Sequence, residues 1–269
     1  MSLIEIFVLA VVQGLTEFLP ISSAAHLILV PLLTDWDDQG LTFDLALHLG
    51  SLAAVVFYFR REILLVVHDW GGSLVTRRQT EHSRIGWAVL WGTIPVGIAG
   101  LLFKDLVETT MRTPEVGAIV IACSLIGFGL LLGLADWRFR GERTERDMRW
   151  TDVLVIGVAQ ALALIPGTSR SGITMTAALF MGLSREAAAR FSFLLSIPVI
   201  VLATGLQLLE LRDPEVQIDW RSLWLGSLVA AVSAYACIHY FLAFIKRIGM
   251  QPFVAYRVIL GAILLWIFL

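Results

Sequence analysis

The chain predicts an all-α polytopic membrane protein made of two inverted-topology repeats, each a re-entrant helix hairpin plus three transmembrane helices, six spans in total. Three observations lead to this fold class. Of 269 residues, 58% are hydrophobic and 16% charged, with a mean hydropathy of +0.81, whereas soluble domains average about 45–50% apolar and about 25% charged. Six apolar runs approach the length of about 20 residues that crosses a bilayer. Two further stretches, 2–33 and 151–183, are apolar, then broken by proline and small hydroxyl residues, then apolar again. A break of this kind is tolerated at membrane depth only where protein or a water-filled cavity surrounds it.

In order along the chain, the first repeat (1–135) comprises the hairpin at 2–33 and spans at 41–59, 85–103 and 115–135. A charged connector at 136–150 follows. The second repeat (151–269) comprises the hairpin at 151–183 and spans at 190–210, 222–245 and 252–269. Aligned on proline, Phe18-Leu19-Pro20-Ile21-Ser22-Ser23 lies over Leu164-Ile165-Pro166-Gly167-Thr168-Ser169, with Gln13 and Gln160 one residue out of step. Three spans per half is an odd number, so the second copy enters the membrane upside down, an architecture that places sites at the repeat interface.

Orientation follows from lysine and arginine in the loops. Fourteen of the twenty lie in 60–84, in 136–150, at Arg185 and Arg190, and at Lys246 and Arg247; Lys104, Arg112, Arg212 and Arg221 lie on the other side. The richer side reads as cytoplasmic, with 60–84 a connecting loop and both termini outside. The Met1-Ser2-Leu3-Ile4-Glu5 start has no basic region, which argues against a cleaved signal peptide. The net charge of −2 says nothing about nucleic acid, but the chain has no basic face or arginine-rich tail, so no nucleic-acid partner is expected. Cys123 and Cys237, isolated in apolar runs, provide neither a disulfide framework nor a metal-ligand spacing.

The candidate site residues sit on the two breaks. Gln13 and Glu17 are four apart and share a helix face; Ser22, Ser23 and His26 follow Pro20 at the start of the next helix. A structural reading competes for some of these. Ser22 or Ser23 suits a helix N-cap, and a lone histidine in an apolar helix is commonly a hydrogen-bonded core residue. Glu17 resists that reading, because a carboxylate inside a membrane needs a partner, and Arg170 is the one at hand. The second break, Pro166–Thr174, supplies anion chemistry. Gly167 and Thr168 form the turn, Ser169, Ser171 and Thr174 offer hydroxyls, and Arg170 offers a planar fork suited to phosphate or carboxylate. The N–H groups of a helix beginning near Ser171 point the same way. Asp44, His48, Tyr256 and Arg257 are weaker candidates, with structural roles favoured for the last two, and Glu186 with Arg190 reads as a surface ion pair.

With Gln13-x-x-x-Glu17, the run Glu17 to Ser23 with His26, and Pro166-Gly167-Thr168-Ser169-Arg170-Ser171-Gly172-Ile173-Thr174, the chain resembles the bacterial undecaprenyl-pyrophosphate phosphatase family, known also for bacitracin resistance. The likeness extends over essentially the whole chain. It implies an enzyme of the bacterial inner membrane that removes the terminal phosphate of undecaprenyl diphosphate and related prenyl diphosphates, recycling the carrier for peptidoglycan synthesis. It implies an active site open to the periplasm, with Glu17, Ser23, His26, Arg170, Ser169 and Thr174 carried over, and Gln13, Ser22 and Ser171 less directly. Where the family has glutamate or glutamine this chain has Gln13, which holds no charge, so carboxylate chemistry falls to Glu17.

On this reading Arg170, the hydroxyls and the helix N-terminus bind the phosphates and stabilise the transferred phosphoryl group. Ser23, His26 and water stay open as the nucleophile. Glu17 is the expected ligand of a divalent cation, Mg²⁺ or Ca²⁺, shared with the substrate phosphates. The bilayer and a second copy of the chain, as a homodimer, complete the expected partners. A lipid-phosphate transporter or flippase on the same inverted scaffold is the competing class.

Overall fold

A computed structural model describes residues 1–34, 36–106, 114–139, 141–210 and 219–268. These residues are helical, with no β-sheet among them. The helices are α1 (Leu3–Phe18), α2 (Ser23–Thr34), α3 (Leu41–Tyr58), α4 (Arg60–Thr76), α5 (Glu81–Leu106), α6 (Pro114–Arg138), α7 (Trp150–Ala161), α8 (Arg170–Phe180), α9 (Arg185–Glu210), α10 (Trp220–Ile248) and α11 (Gln251–Phe268). Among the described residues six helices are long and apolar enough to cross a membrane, at Leu41–Tyr58, Glu81–Phe103, Gly117–Arg138, Arg185–Leu208, Trp220–Ile248 and Gln251–Phe268. Arg112, Arg140 and Arg212, part of the charge bias, lie outside the described residues.

The packing carries the mark of a repeat. Exchange α1 with α7, α3 with α9, α5 with α10, and α6 with α11, and several of the main interfaces are carried onto one another or onto themselves. The α1–α10 pair becomes α7–α5, α3–α10 becomes α9–α5, and α6–α11 maps onto itself. Small residues bring the corresponding helices close, as they must where no hydrophobic force drives helices together in lipid. A Cβ on Gly14 of α1 would lie 2.6 Å from the Ala230 carbonyl oxygen of α10, and one on Gly157 of α7 would lie 2.9 Å from the Gly92 carbonyl oxygen of α5.

The helix pairs α1–α2 and α7–α8 form the hairpins, and both break for the same reason. Leu19 (ψ 146°) and Ile165 (ψ 121°) are extended, the conformation imposed on a residue that precedes proline. Helix then restarts one residue after a serine of positive φ, Ser22 at 74° and Ser169 at 70°. These serines are 147 positions apart, as are Gln13 and Gln160. The proline alignment is therefore out by one. Backbone geometry pairs Ser22 with Ser169, Ser23 with Arg170, Pro20 with Gly167 and Glu17 with Leu164.

The 60–84 connection differs from a simple loop. Residues 60–76 form α4, which lies against the start of α5 through Trp70 and Trp87, ring centroids 5.6 Å apart, while Leu64, Val67 and Val75 stay exposed. The apolar run Ile63–Val67 is too short to signal a span, and the arginines at both ends conceal the helix.

The Glu186–Arg190 surface pair is not formed either. Arg190 instead bridges Glu62 of α4 at 2.5 Å and Glu145 of the connector at 2.8 Å, and Glu186 pairs with Lys246. Arg185 grips Asp136 at 2.5 and 3.0 Å, and Arg143 reaches Asp152 at 2.5 Å. The connector thus ties the adjoining ends of α7 and α9, and reaches α4 through Arg190.

Candidate active site

Helix α1 places Gln13 and Glu17 one turn apart on a buried face. The Glu17 carboxylate is surrounded by donors. Its Oε2 accepts from Gln13 Nε2 at 3.0 Å and from Ser23 Oγ at 2.7 Å. Its Oε1 accepts from Arg170 Nη2 at 3.0 Å, and His48 Nε2 stands 3.8 Å from Oε2. Residues from α1, α2, α3 and α8 thus converge on one carboxylate. Glu17 and Arg170 side chains are only 7% and 12% exposed, so each compensates a charge that would otherwise be costly to bury.

Helix α8 begins at this ion pair. Ser169 is its N-cap, with Oγ accepting from Gly172 N at 3.1 Å and 3.2 Å from Ser171 Oγ. Its positive φ is strained backbone for a residue with a Cβ, and such strain persists where the surroundings impose it. Arg170 also donates to the Ser192 carbonyl of α9 at 3.1 Å, leaving donors of its fork available. Thr174 Oγ1 lies 2.7 Å from Ser192 Oγ, and Ser171 Oγ donates to the Leu19 carbonyl at 2.8 Å. The second hairpin therefore bonds to the backbone of the first break as well as to its carboxylate.

Gly167 is held at φ +86°, and a Cβ there would lie 2.6 Å from the Ile121 carbonyl oxygen, so both conformation and space call for glycine. The carbonyls of Gly167 and Thr168 turn toward Arg257 of α11. This arginine, fully buried, donates to five carbonyl oxygens: Pro20 at 3.1 Å, Leu125 at 3.1 Å, Ser124 at 3.2 Å, Gly167 at 3.2 Å and Thr168 at 2.9 Å. It pairs with backbone rather than with a carboxylate, and joins the first break, the second break and α6. Two buried polar atoms beside this assembly have no hydrogen-bond partner among the described residues, Gln13 Oε1 and Thr168 Oγ1.

Glu17, Gln13, Ser23, Arg170, Ser169, Ser171 and Thr174 thus form one continuous polar cluster. Ser22 contributes its strained backbone, and its carbonyl lies 2.7 Å from His26 Nδ1. His26 stands apart. Its other nitrogen is 2.6 Å from the Tyr256 hydroxyl, and it makes no hydrogen bond to Glu17, Ser23 or Arg170 among the described residues. Asp44 bonds Gln39 Nε2 at 2.9 Å, and its carbonyl takes His48 Nδ1 at 2.8 Å. Sequence reasoning favoured a structural role for Arg257 but not its partners, ranked His48 among the weaker candidates, and missed Ser192. The polar pair Tyr256-Arg257 inside an apolar span was the available signal; a serine in an apolar helix gives none.

Among the described residues no group of three or more His, Cys, Asp or Glu side chains forms a metal cage. The orphaned Gln13 Oε1 beside the Glu17 carboxylate is nonetheless a pair of hard oxygen donors, the chemistry a Mg²⁺ or Ca²⁺ ion uses when substrate and water complete its shell.

Comparison with known proteins gives consistent results. A family model described as Bacitracin resistance protein BacA matches residues 6–263. The chain is similar to Undecaprenyl-diphosphatase 2 of Stutzerimonas stutzeri (strain A1501), 60% identical over 271 residues, covering 100% of this chain and 99% of that protein. It is 60% identical over 269 residues to the Undecaprenyl-diphosphatase of Thioalkalivibrio sulfidiphilus (strain HL-EbGR7), and 55% identical over 268 residues to that of Nitrosococcus oceani, covering 100% of both chains in each case.

Proposed function

The chain belongs to the bacitracin resistance protein BacA family, and on that premise we propose that it hydrolyses undecaprenyl diphosphate to undecaprenyl phosphate and inorganic phosphate. It is a multi-pass enzyme of the bacterial inner membrane that recycles the lipid carrier of peptidoglycan synthesis, the activity behind bacitracin resistance. The observation that carries the site assignment is the contact of Ser23 Oγ with Glu17 Oε2 at 2.7 Å, beside an arginine whose Nη2 is 3.0 Å from Oε1.

A nucleophile hydrogen-bonded to a base, with the base held by a third group, is the usual arrangement for covalent catalysis. Here Ser23, Glu17 and Gln13 fill those places. Ser23 Oγ attacks the terminal phosphorus and gives its proton to Glu17. The bond from phosphorus to the bridging oxygen breaks, and undecaprenyl phosphate leaves. Glu17 passes that proton to the departing undecaprenyl phosphate and, as a carboxylate again, takes one from the water that attacks the phosphoserine. The bond from phosphorus to Ser23 Oγ breaks, inorganic phosphate leaves, and Glu17 returns the proton to Ser23 Oγ. Arg170 and the N-terminus of α8 bind the terminal phosphate and stabilise charge on its oxygens during both transfers. Ser169, Ser171 and Thr174 hold that helix end in place, and Gly167 and Thr168 shape the turn before it.

Glu17 and Gln13 would hold a divalent cation, Mg²⁺ or Ca²⁺, jointly with the phosphates; when bound it neutralises phosphate charge. The arginine-rich connector side faces the cytoplasm, so both termini face the periplasm, and the family resemblance puts the mouth of the site on that same side. Related prenyl diphosphates as further substrates and a homodimer belong to the same proposal.

The test is phosphate release from undecaprenyl diphosphate by the purified protein in detergent, with no second compartment. Release by the wild type and its loss in Ser23→Ala support this reading. Movement of lipid between leaflets without phosphate release would instead make the protein a carrier.

A further inference from the structure

His26 has no nitrogen left for a substrate. Its Nδ1 lies 2.7 Å from the Ser22 carbonyl oxygen, which only accepts, so Nδ1 carries hydrogen. Its Nε2 lies 2.6 Å from the hydroxyl of Tyr256 on α11. The two rings are stacked, 9° from parallel with centroids 5.6 Å apart. A phosphoryl group placed on Nε2 would have to displace the tyrosine. Tyr256 is the outer member of the pair, 43% exposed. Its place on α11 is set by the next residue, Arg257, which bonds the carbonyls of Pro20 and Thr168 at 3.1 and 2.9 Å. The tyrosine is therefore anchored to both breaks, yet it has no part in the mechanism above.

We propose that Tyr256 is the member of this pair that touches the substrate, its hydroxyl hydrogen-bonding a phosphate oxygen of the lipid diphosphate while His26 stands behind it as proton partner. The proposal rests on the phosphatase reading. With a neutral imidazole, the tyrosine O–H donates to Nε2 and its oxygen presents lone pairs outward. A phosphate oxygen that arrives bearing hydrogen passes it to the tyrosine oxygen as the tyrosine passes its own to Nε2. One O–H bond and one N–H bond form, two O–H bonds break, and a single proton has moved from phosphate to imidazole. Afterwards Nε2–H donates to the tyrosine oxygen, and the tyrosine donates to the phosphate. The anion gains a donor and a nearby positive charge, held in place by the Ser22 carbonyl on the far side of the ring. The arrangement of carbonyl, imidazole and hydroxyl follows the logic by which a histidine orients and activates a hydroxyl elsewhere.

Tyr256→Phe tests this, because it removes one oxygen and keeps the ring that stacks on His26. Wild type, Tyr256→Phe, His26→Ala and the double variant are assayed for phosphate release from undecaprenyl diphosphate, with KM and kcat separated. A wild type that releases no phosphate counts against the phosphatase reading and not against Tyr256. With an active wild type, the expected result is a loss of about tenfold to a hundredfold in kcat/KM for Tyr256→Phe, the range for one hydrogen bond to a charged group. The double variant should be no worse than His26→Ala, because the two act as one chain. Wild-type kcat/KM in Tyr256→Phe, or losses that multiply in the double variant, overturn the proposal. So does ³²P trapped on His26 in Tyr256→Phe, where Nε2 has been bared.

Discussion

At the first break the chain leaves α1 at Phe18, turns through Pro20, passes Ser22 at φ 74° and resumes helix at Ser23. At the second it leaves its 3-10 turn at Leu164, turns through Pro166, passes Ser169 at φ 70° and resumes helix at Arg170. The carbonyls of both serines accept from the amide four residues on, His26 at 3.3 Å and Ile173 at 2.9 Å. The backbones correspond and the side chains do not. Glu17 stands where the other copy has Leu164, Ser23 where it has Arg170, His26 where it has Ile173. The serine that shapes the turn is duplicated, Ser22 with Ser169, and so is a buried glutamine ahead of it, Gln13 with Gln160. On the proposed mechanism the residues that meet a phosphate are divided, base and nucleophile on one copy and the guanidinium on the other. Duplication supplied a frame, and divergence between its copies supplied the chemistry.

Among variants outside the catalytic groups, breaking the backbone tie between the copies has the largest expected effect. Arg257→Met would leave the carbonyls of Pro20, Gly167 and Thr168 without their shared donor, at about 1–3 kcal/mol for each buried acceptor left unsatisfied. The breaks would shift relative to one another, and misplacement on the order of 1 Å costs about a hundredfold in rate. A large fall in the thermal midpoint in detergent, together with that loss in kcat, is expected. Arg257→Lys should recover only part of both, since one ammonium lacks the planar fork.

The duplicated glutamines sharpen the comparison at the next level. Gln13 donates to Glu17 at 3.0 Å, whereas Gln160 donates to the Gly92 carbonyl at 3.2 Å. Gln13→Leu should therefore lower kcat about tenfold, the value of one hydrogen bond to a charged group. Gln160→Leu should change the midpoint for unfolding and leave kcat within about twofold. Equal kinetic losses in the two would mean that the copies share more than a frame.

A smaller effect tests the strained serine. Ser169→Ala keeps the positive φ and loses the cap to Gly172, while Ser169→Gly relieves the backbone. Alanine at an N-cap costs about 1 kcal/mol and glycine a few tenths, so the glycine variant should be the more stable by about 1 kcal/mol in denaturant or thermal unfolding. The reverse order would remove the argument from backbone strain. Least of all should depend on the rim: Arg146 and Glu81, with side chains 60% and 65% exposed, form a pair worth at most about 1 kcal/mol, and Arg146→Ala should leave phosphate release unchanged.

Much of this was legible in the sequence because the membrane makes polar residues conspicuous. Glu17 and Arg170 stood out as charges at apolar depth, and Pro20 and Pro166 marked where helices had to stop. The one-residue error in the repeat alignment arose because proline was taken as the fixed point. Proline only fixes the residue before it, while the serine of positive φ fixes the helix start, and positive φ in a serine has no sequence signature. Helix α4 was concealed by its terminal arginines, and the Arg190 bridge by the proximity of Glu186, four residues away and already paired with Lys246. Arg257 was visible as an intramembrane charge, but its carbonyl partners come from segments up to 237 residues distant, beyond the reach of local pattern.

The central claim is that the active site consists of groups from both breaks acting together, with Glu17 of one copy and Arg170 of the other as its joint. It is tested most directly by phosphate release from undecaprenyl diphosphate for Glu17→Gln, Arg170→Gln and the double variant. Residues that act as one unit lose activity non-additively. The account predicts a loss of about a hundredfold or more in kcat for each single variant, and a double variant no worse than the poorer single. Losses that multiply, or a single variant that keeps the wild-type rate, would contradict it.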